Sequence, residues 1–205
     1  MRTVFTEIYN RNVWGGGSGH GSAASVTSPY RAYVERFVRE NKVGTIVDLG
    51  CGDWQFSHLI DWNGAKYIGL DVVPSVVEAN RRRFTKHNVS FEVAGESYAE
   101  LPVADLLLIK DVLQHWSTNE VMRFVCEALP KYRAALITNC IEPRSRVNAE
   151  IENGDFRPLD LRLPPYRLEA QCVMSFEGPS TFSWRKLRRY PAWRKAVLLV
   201  RGNAS

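Results

Sequence analysis

Ile46-Val47-Asp48-Leu49-Gly50-Cys51-Gly52 is the stretch that decides the fold. A short apolar run ends in an acid and then in two glycines one residue apart. A strand that ends in such a turn lets a ligand approach the backbone where no Cβ intrudes. Asp71 follows 19–21 residues beyond the two glycines, at the end of the next apolar run, Lys66 to Asp71. An acid at the tip of the second strand is placed to accept hydrogen bonds from a ribose diol. A tight turn beside an unrelated surface acid is the competing, purely structural explanation.

Outward from this point, short apolar runs alternate with amphipathic stretches. Strands are expected at residues 43–49, 66–71, 89–93, 104–109 and 134–138. The run at 104–109 lacks alternation, as a strand covered on both faces should. Asp53 is expected to N-cap a short helix that stops at Asn63-Gly64, presenting free amides to the ligand. A second helix should start at Pro74 and run to about Lys86. Ser117 to Glu120 reads as a capping box, with Trp116 and Val121 as a hydrophobic staple, for a helix ending near Pro130. Upstream, Tyr30, Tyr33, Val34, Phe37 and Val38 repeat at helical spacing behind a start at Ser28-Pro29. Two further strands are expected near 172–176 and 196–200. This alternation predicts a single α/β domain over 1–205, a doubly wound, seven-stranded, mostly parallel sheet. Residues 1–28 form a glycine-rich leading segment, 29–141 the ligand-binding core, and 142–205 an insertion with the last strands.

At 205 residues the chain can bury a core unaided. Its net charge of +5 invites a nucleic-acid partner. The charge is unevenly placed, however. Residues 181–205 hold seven of the 27 basic residues and no acid, so residues 1–180 balance at −2. Cys51, Cys126, Cys140 and Cys172 fit no zinc or redox spacing. Cys126 and Cys172 lie in apolar stretches and are expected in the core. Residues 1–10 hold no apolar stretch and no apolar run approaches 18 residues, so neither a signal peptide nor a membrane span is expected. A reducing, cytoplasmic setting without a membrane span is expected.

The nucleoside ligand can be narrowed. Gln55 stands where a dinucleotide fingerprint needs a third glycine, and no Gly-Lys-Ser/Thr phosphate loop occurs. Asp48 inside the turn suits a cationic ligand. In these features the sequence resembles class I S-adenosylmethionine-dependent methyltransferases. Val47 to Gly52 matches their first motif, Asp71 their ribose-binding acid, Gly95-Glu96-Ser97 their adenine-contact position, and Asp105 to Trp116 their fourth-strand motif. The resemblance covers about residues 43–140. It implies a Rossmann-like methyltransferase fold with S-adenosyl-L-methionine as cofactor. The implied contacts are Asp48 with Gly50, Cys51 and Gly52 at the methionine moiety, Asp71 at the ribose hydroxyls, and Glu96 with Ser97 at the adenine edge. Two departures stand out: Trp54 where many members carry another glycine, and Glu96 where aspartate is more usual.

Beyond the fourth strand, Lys110, Asp111, Gln114 and His115 should emerge near the transferring methyl group, with Lys110 among the cofactor-binding set. If the acceptor is a hydroxyl, His115 is the first choice for a general base and Asp111 the second. His115 could instead only orient its loop. Trp14 to Ser22 holds five of the 14 glycines and is expected to be either a lid over the cofactor or a flexible linker. Residues 142–169, where Arg144, Arg146, Arg157 and Arg162 are interspersed with Glu142, Glu150, Glu152, Asp155 and Asp160, could hold a hydroxyl-rich acceptor or form a salt-bridged loop. Glu150 and Glu152 with His115 are the nearest approach to a metal-ligand set, but no second histidine accompanies them and no metal site is expected.

The resulting expectation is methyl transfer to a small polar or saccharide acceptor, at a hydroxyl. An alternative is RNA methylation, with Trp184 to Arg194 tracking phosphates and stacking on bases. A second is a non-catalytic cofactor-binding interaction module.

Overall fold

The computed structural model describes residues 1–178, 181–183, 188–190 and 193–202, the two short stretches at 181–183 and 188–190 by backbone alone. Most of the basic and aromatic segment Trp184 to Arg194 therefore lies outside the described residues. Five parallel strands, β1 (Thr45–Leu49), β2 (Lys66–Asp71), β3 (Val89–Val93), β4 (Leu106–Lys110) and β5 (Ala134–Cys140), form the body of the sheet. After β6 (Gln171–Glu177) and the short hairpin pair β7 (Thr181–Ser183) and β8 (Arg188–Tyr190), β9 (Arg194–Arg201) inserts antiparallel between β5 and β6. The sheet order is β3-β2-β1-β4-β5-β9-β6, seven strands with the expected mostly parallel, doubly wound Rossmann-like topology.

Both faces of the sheet are buried, and β4 records it residue by residue. Leu106 and Leu108 join one core cluster, and Leu107 and Ile109 the other. One face is covered by α2 (Ser28–Glu40), which buries Tyr30, Val34, Phe37 and Val38. The other is covered by Phe5 of α1 (Arg2–Asn10), by α4 (Thr118–Arg123) with the turns after it, and by Leu159, Leu161 and Tyr166 of the long loop before β6. Between β2 and β3 lies α3 (Pro74–Phe84), with Pro74 in its first turn.

Several local expectations are corrected. No α-helix follows the glycine turn; only the short 3-10 turn Ser57–Leu59 forms there. Asp53 caps nothing, because its Oδ2 accepts from the Ser18 amide (3.3 Å) and Gln55 Nε2 (2.9 Å). Trp54 then takes φ +58, the region that a glycine would favour. Burial of the indole offsets that strain, since Trp54 packs on Tyr67, Phe84 and Phe91 and donates from Nε1 to the Tyr67 hydroxyl (2.8 Å). The capping box is half made. Ser117 Oγ accepts from the Glu120 amide, but the Ser117 amide donates to Asn153 rather than to Glu120. Helix α2 is capped at Thr27, one residue earlier than expected. The cysteines divide differently too: Cys126 and Cys172 are exposed, and Cys51 and Cys140 are buried. Among the described residues, no helix is long and apolar enough to cross a membrane.

Candidate active site

The chain runs outward from β1 in one direction through β2 and β3, then in the other through β4 and β5. A crevice must open between the C-terminal ends of β1 and β4, where the order reverses. A cavity lies there, lined by the glycine turn, the end of β4, Tyr9 and Trp14. Asp48, Gly50, Cys51, Gly52, Asp71, Lys110, Asp111 and His115 all line it, so eight of the ten proposed site residues converge. Glu96 and Ser97 do not. They are exposed beside a neighbouring cavity that shares Leu49, Val72 and Trp116 with the first, and Ser97 Oγ is taken up in accepting from the Ala99 amide.

The glycine turn is held differently from expectation. The amides of Gly50 and Cys51 both donate to the Leu70 carbonyl, and the Gly52 amide donates to Asp71 Oδ2 at 3.0 Å. These amides anchor the turn to β2 rather than awaiting a ligand. Gly50 has φ +76, and a Cβ there would fall 2.4 Å from Val112 Cγ2, so the turn admits no side chain. Asp71 also accepts from the Val73 amide at 3.0 Å. Each of its oxygens retains a second lone pair for a diol. Burial pushes the Asp71 carboxyl up to about 6, against the lowering effect of those amides.

Asp48, two residues before Gly50, is buried and served by a relay that the sequence did not announce. Trp54 Nε1 donates to the Tyr67 hydroxyl, which donates to Asp48 Oδ2 at 2.5 Å. Burial raises the Asp48 carboxyl to about 6, and the Tyr67 hydrogen bond and nearby Lys110 restrain the rise. A buried carboxylate with one charge-assisted bond and open space before it favours a cationic ligand.

At the C-terminal end of β4, Lys110 is buried over the rings of Tyr30 and Phe56 and donates to the Gly21 carbonyl. Its ammonium pairs with Asp111 Oδ2 at 2.6 Å, and Lys195 from β9 pairs with the same oxygen. Asp111 stands at φ +60, and its flanking ammoniums hold its carboxyl far below the usual range, outweighing burial. This makes Asp111 the weaker of the two candidate bases, because a carboxylate stabilised in its charged form is a poor proton acceptor.

His115 is better suited. Its Nδ1 lies 2.8 Å from the Asp155 carbonyl oxygen. A carbonyl only accepts, so Nδ1 carries the hydrogen and Nε2 is left with a lone pair. Burial lowers the ring's pKa below its ordinary 6.5, which keeps it neutral at pH 7. The ring sits between Trp14 (centroids 5.3 Å apart) and Phe156 (5.6 Å). Beyond it opens a second cavity, walled by Trp14, Phe156 and Trp193. Trp14, Ser18, Asp111 and His115 line both cavities and form their common wall.

The glycine-rich segment lies directly over the first cavity. Ser18 Oγ accepts from the Asp53 amide (3.0 Å) and is 2.8 Å from the Tyr9 hydroxyl, and Gln55 Nε2 donates to the Gly16 carbonyl (3.0 Å). A Cβ on Gly17, at φ +61, would fall 1.8 Å from Asp53 Oδ2, which explains why glycine stands there. The 142–169 stretch is mainly a packed, hydrogen-bonded loop. Arg157 is fully buried and donates to the carbonyls of Ala149 and Trp116 and to the Tyr166 hydroxyl. Arg162 pairs with Asp160, and Glu150 accepts from the Thr118 amide. Only Phe156 of this stretch lines the second cavity. Among the described residues no group of three or more His, Cys, Asp or Glu could hold a metal ion.

Lys195, Tyr67 and Ser18 were missed in the sequence. Lys195 was counted with a basic terminal segment, though a lysine abutting the run Ala196 to Val200 could have marked a buried cation. Nothing local marks Tyr67 or Ser18.

A family model for the O-methyltransferase domain matches residues 16–156. Nodulation protein NoeA of Rhizobium meliloti is 33% identical over 87 residues, 42% of this chain but only 18% of NoeA. Among solved structures, magnesium protoporphyrin IX methyltransferase from Synechocystis PCC 6803 with bound SAH superposes with a TM-score of 0.64 at 13% identity, covering 99% of this chain and 100% of that one. Human N-acetylserotonin methyltransferase in complex with SAM gives 0.54 at 13% identity, over 98% of this chain and 59% of that one. The mitomycin 7-O-methyltransferase MmcR gives 0.58 at 19% identity, over 87% and 55%. At these identities the superpositions speak to the fold.

Proposed function

Because the chain belongs to the O-methyltransferase domain family, we propose that it methylates a hydroxyl of a small polar acceptor, a saccharide hydroxyl included. S-adenosylmethionine supplies the methyl group, which leaves the sulfonium sulfur as the C–S bond breaks and a C–O bond forms on the acceptor. Asp48 would hold the cationic methionine end and Asp71 the ribose diol, the two buried acids of the first cavity. The observation that carries the reading is His115, neutral, with Nε2 unengaged by its backbone partner, in the wall common to both cavities.

In this reading the acceptor stacks on Trp14, Phe156 and Trp193, and its hydroxyl donates to His115 Nε2. His115 takes the hydroxyl proton as the oxygen is alkylated and becomes an imidazolium whose Nδ1–H is held by the Asp155 carbonyl. The rest of the rate comes from alignment and from exclusion of water. The segment from Trp14 to Ser22 acts as a lid, closed by the Ser18–Asp53 and Gln55–Gly16 contacts.

His115→Gln tests this. A screen of hydroxylated acceptors with methyl-labelled cofactor should find one that the wild type methylates. The variant should then lose roughly 10²–10⁴-fold in kcat with cofactor affinity kept within a few-fold. Equal kcat in wild type and a folded variant would remove the base role.

A further inference from the structure

Lys110 and Lys195 share one carboxylate oxygen of Asp111, and the two lysines face different cavities. Lys110 lines the first cavity, Lys195 lines the second, and Asp111 lines both. The side chains of Lys110 and Lys195 are 6% and 5% exposed. Both ammoniums meet Asp111 Oδ2, while Oδ1, also buried, has no hydrogen-bond partner among the described residues. The next acid, Asp48, faces the first cavity, where it accepts from Tyr67 and lies near Lys110, so it offsets Lys110 and leaves Lys195 its share of Asp111. His115 and His20, which also line the second cavity, bring no negative charge. The Lys195 ammonium has three donors and gives one to Asp111, so it keeps donor capacity for an anion in the second cavity.

We propose that Lys195 is the seat for a carboxylate on the acceptor, so that the substrate is a hydroxy acid with a ring that stacks on Trp14, Phe156 and Trp193. Among the described residues one ammonium, that of Lys195, faces the second cavity, which favours a singly charged carboxylate over a phosphate monoester. The ring lies along the aromatic wall, the carboxylate pairs with Lys195, and a hydroxyl elsewhere on the ring faces His115. Gly21 lies against the same ammonium. A Cβ there would come within 3.0 Å of Lys195 Nζ, so the bare backbone leaves room at the seat. The inference rests on the O-methylation reading for which oxygen reacts, but the seat itself is a binding property.

The test uses the full chain saturated with S-adenosylhomocysteine and two matched pairs of probes: meta-hydroxybenzoate against meta-hydroxybenzyl alcohol, and glucuronate against glucose. Calorimetry should show the acid of at least one pair binding about tenfold or more tightly than its neutral partner. Lys195→Met should collapse that ratio to about threefold or less, Lys195→Arg should restore it, and neither should weaken S-adenosylhomocysteine binding. Acid and neutral members binding the wild type alike, or no binding of either acid at millimolar concentration, would overturn the seat. So would a loss of S-adenosylhomocysteine affinity in Lys195→Met, which would assign Lys195 to the cofactor. Acid binding without any methyl transfer would keep the seat and remove the O-methylation reading. Transfer to both members of a pair at one rate would do the opposite. A base-labile methyl ester as product would make the carboxylate the reacting group and overturn its role as anchor.

Discussion

Replacing Tyr67 with phenylalanine should make cofactor binding sensitive to pH in a way that the wild type is not. The hydroxyl of Tyr67 donates the hydrogen bond that stabilises the charged form of Asp48, whose carboxyl burial has already raised to about 6. At pH 7 such a group is about nine-tenths ionised. A hydrogen bond to a charged group contributes about 1.5–3 kcal/mol, equivalent to roughly one to two units of carboxyl pKa. In Tyr67→Phe the Asp48 carboxyl should therefore titrate near 7–8, and its ionised fraction at pH 7 should drop to roughly 0.1–0.5. If only the carboxylate holds the cofactor's cationic end, affinity at pH 7 falls about two- to tenfold and recovers by pH 9. Titration of S-adenosylmethionine against both proteins from pH 6 to 9 checks this through the ratio of the two dissociation constants, which cancels ionisation of the ligand itself. A ratio that stays constant across the range would refute Asp48 as a charge-dependent contact. The same substitution leaves Trp54 Nε1 without its acceptor, so some loss of Tm should accompany it at every pH.

Asp48→Asn should stabilise the protein while weakening the cofactor. The folded-state carboxyl, raised to about 6 from an ordinary 3.8, stabilises the fold fully below about 3.8, and that contribution is lost as pH rises through 6. Denaturant melts should show the variant gaining on the wild type between pH 4 and 6, by up to roughly 3 kcal/mol at pH 8; parallel curves would contradict the burial argument. The acid limb of the pH–rate profile should reflect His115 titrating below its ordinary 6.5, and a limb well above 6.5 would point to another base. Gly17→Val forces a Cβ against Asp53 at a left-handed backbone position. It should raise the cofactor Kd by roughly tenfold through loss of the lid contacts; unchanged affinity and turnover would mean that the segment is only a linker. Arg157→Leu breaks three hydrogen bonds inside the long loop, and about 3 kcal/mol of lost stability should lower Tm by roughly 6–12 °C.

Legibility was highest where the signal is local. The strand Val89–Val93 was expected at the bounds it has, and Pro74 opens α3, because apolar runs and ring-fixed φ angles act within a few residues. Asp48, Gly50 and Asp71 were legible because a turn and an acid at fixed spacing are set by the strand–turn–strand geometry itself. The helix after Asp53 failed because its candidate cap is claimed by Ser18, 35 residues upstream. Cys126 and Cys172 failed because an apolar neighbourhood in sequence is not burial in space: each projects from its element away from the core.

By itself, then, the sequence determined the α/β layering, the glycine turn at residues 50–52 and the pair of acids at 48 and 71. Strand period and turn chemistry are properties of consecutive residues. Only the tertiary structure decided what those acids and bases can do. Tyr67 reaches Asp48 because β1 and β2 pair in parallel register, and Lys195 reaches Asp111 across 84 residues because β9 returns antiparallel beside β5. Those contacts set charge, and charge at this site follows from burial and partner, neither of which is encoded at any one position. The terminal basic excess therefore divides. Lys195, one of its seven charges, is buried in the sheet beside the site, where it pairs with a carboxylate that Lys110 already holds.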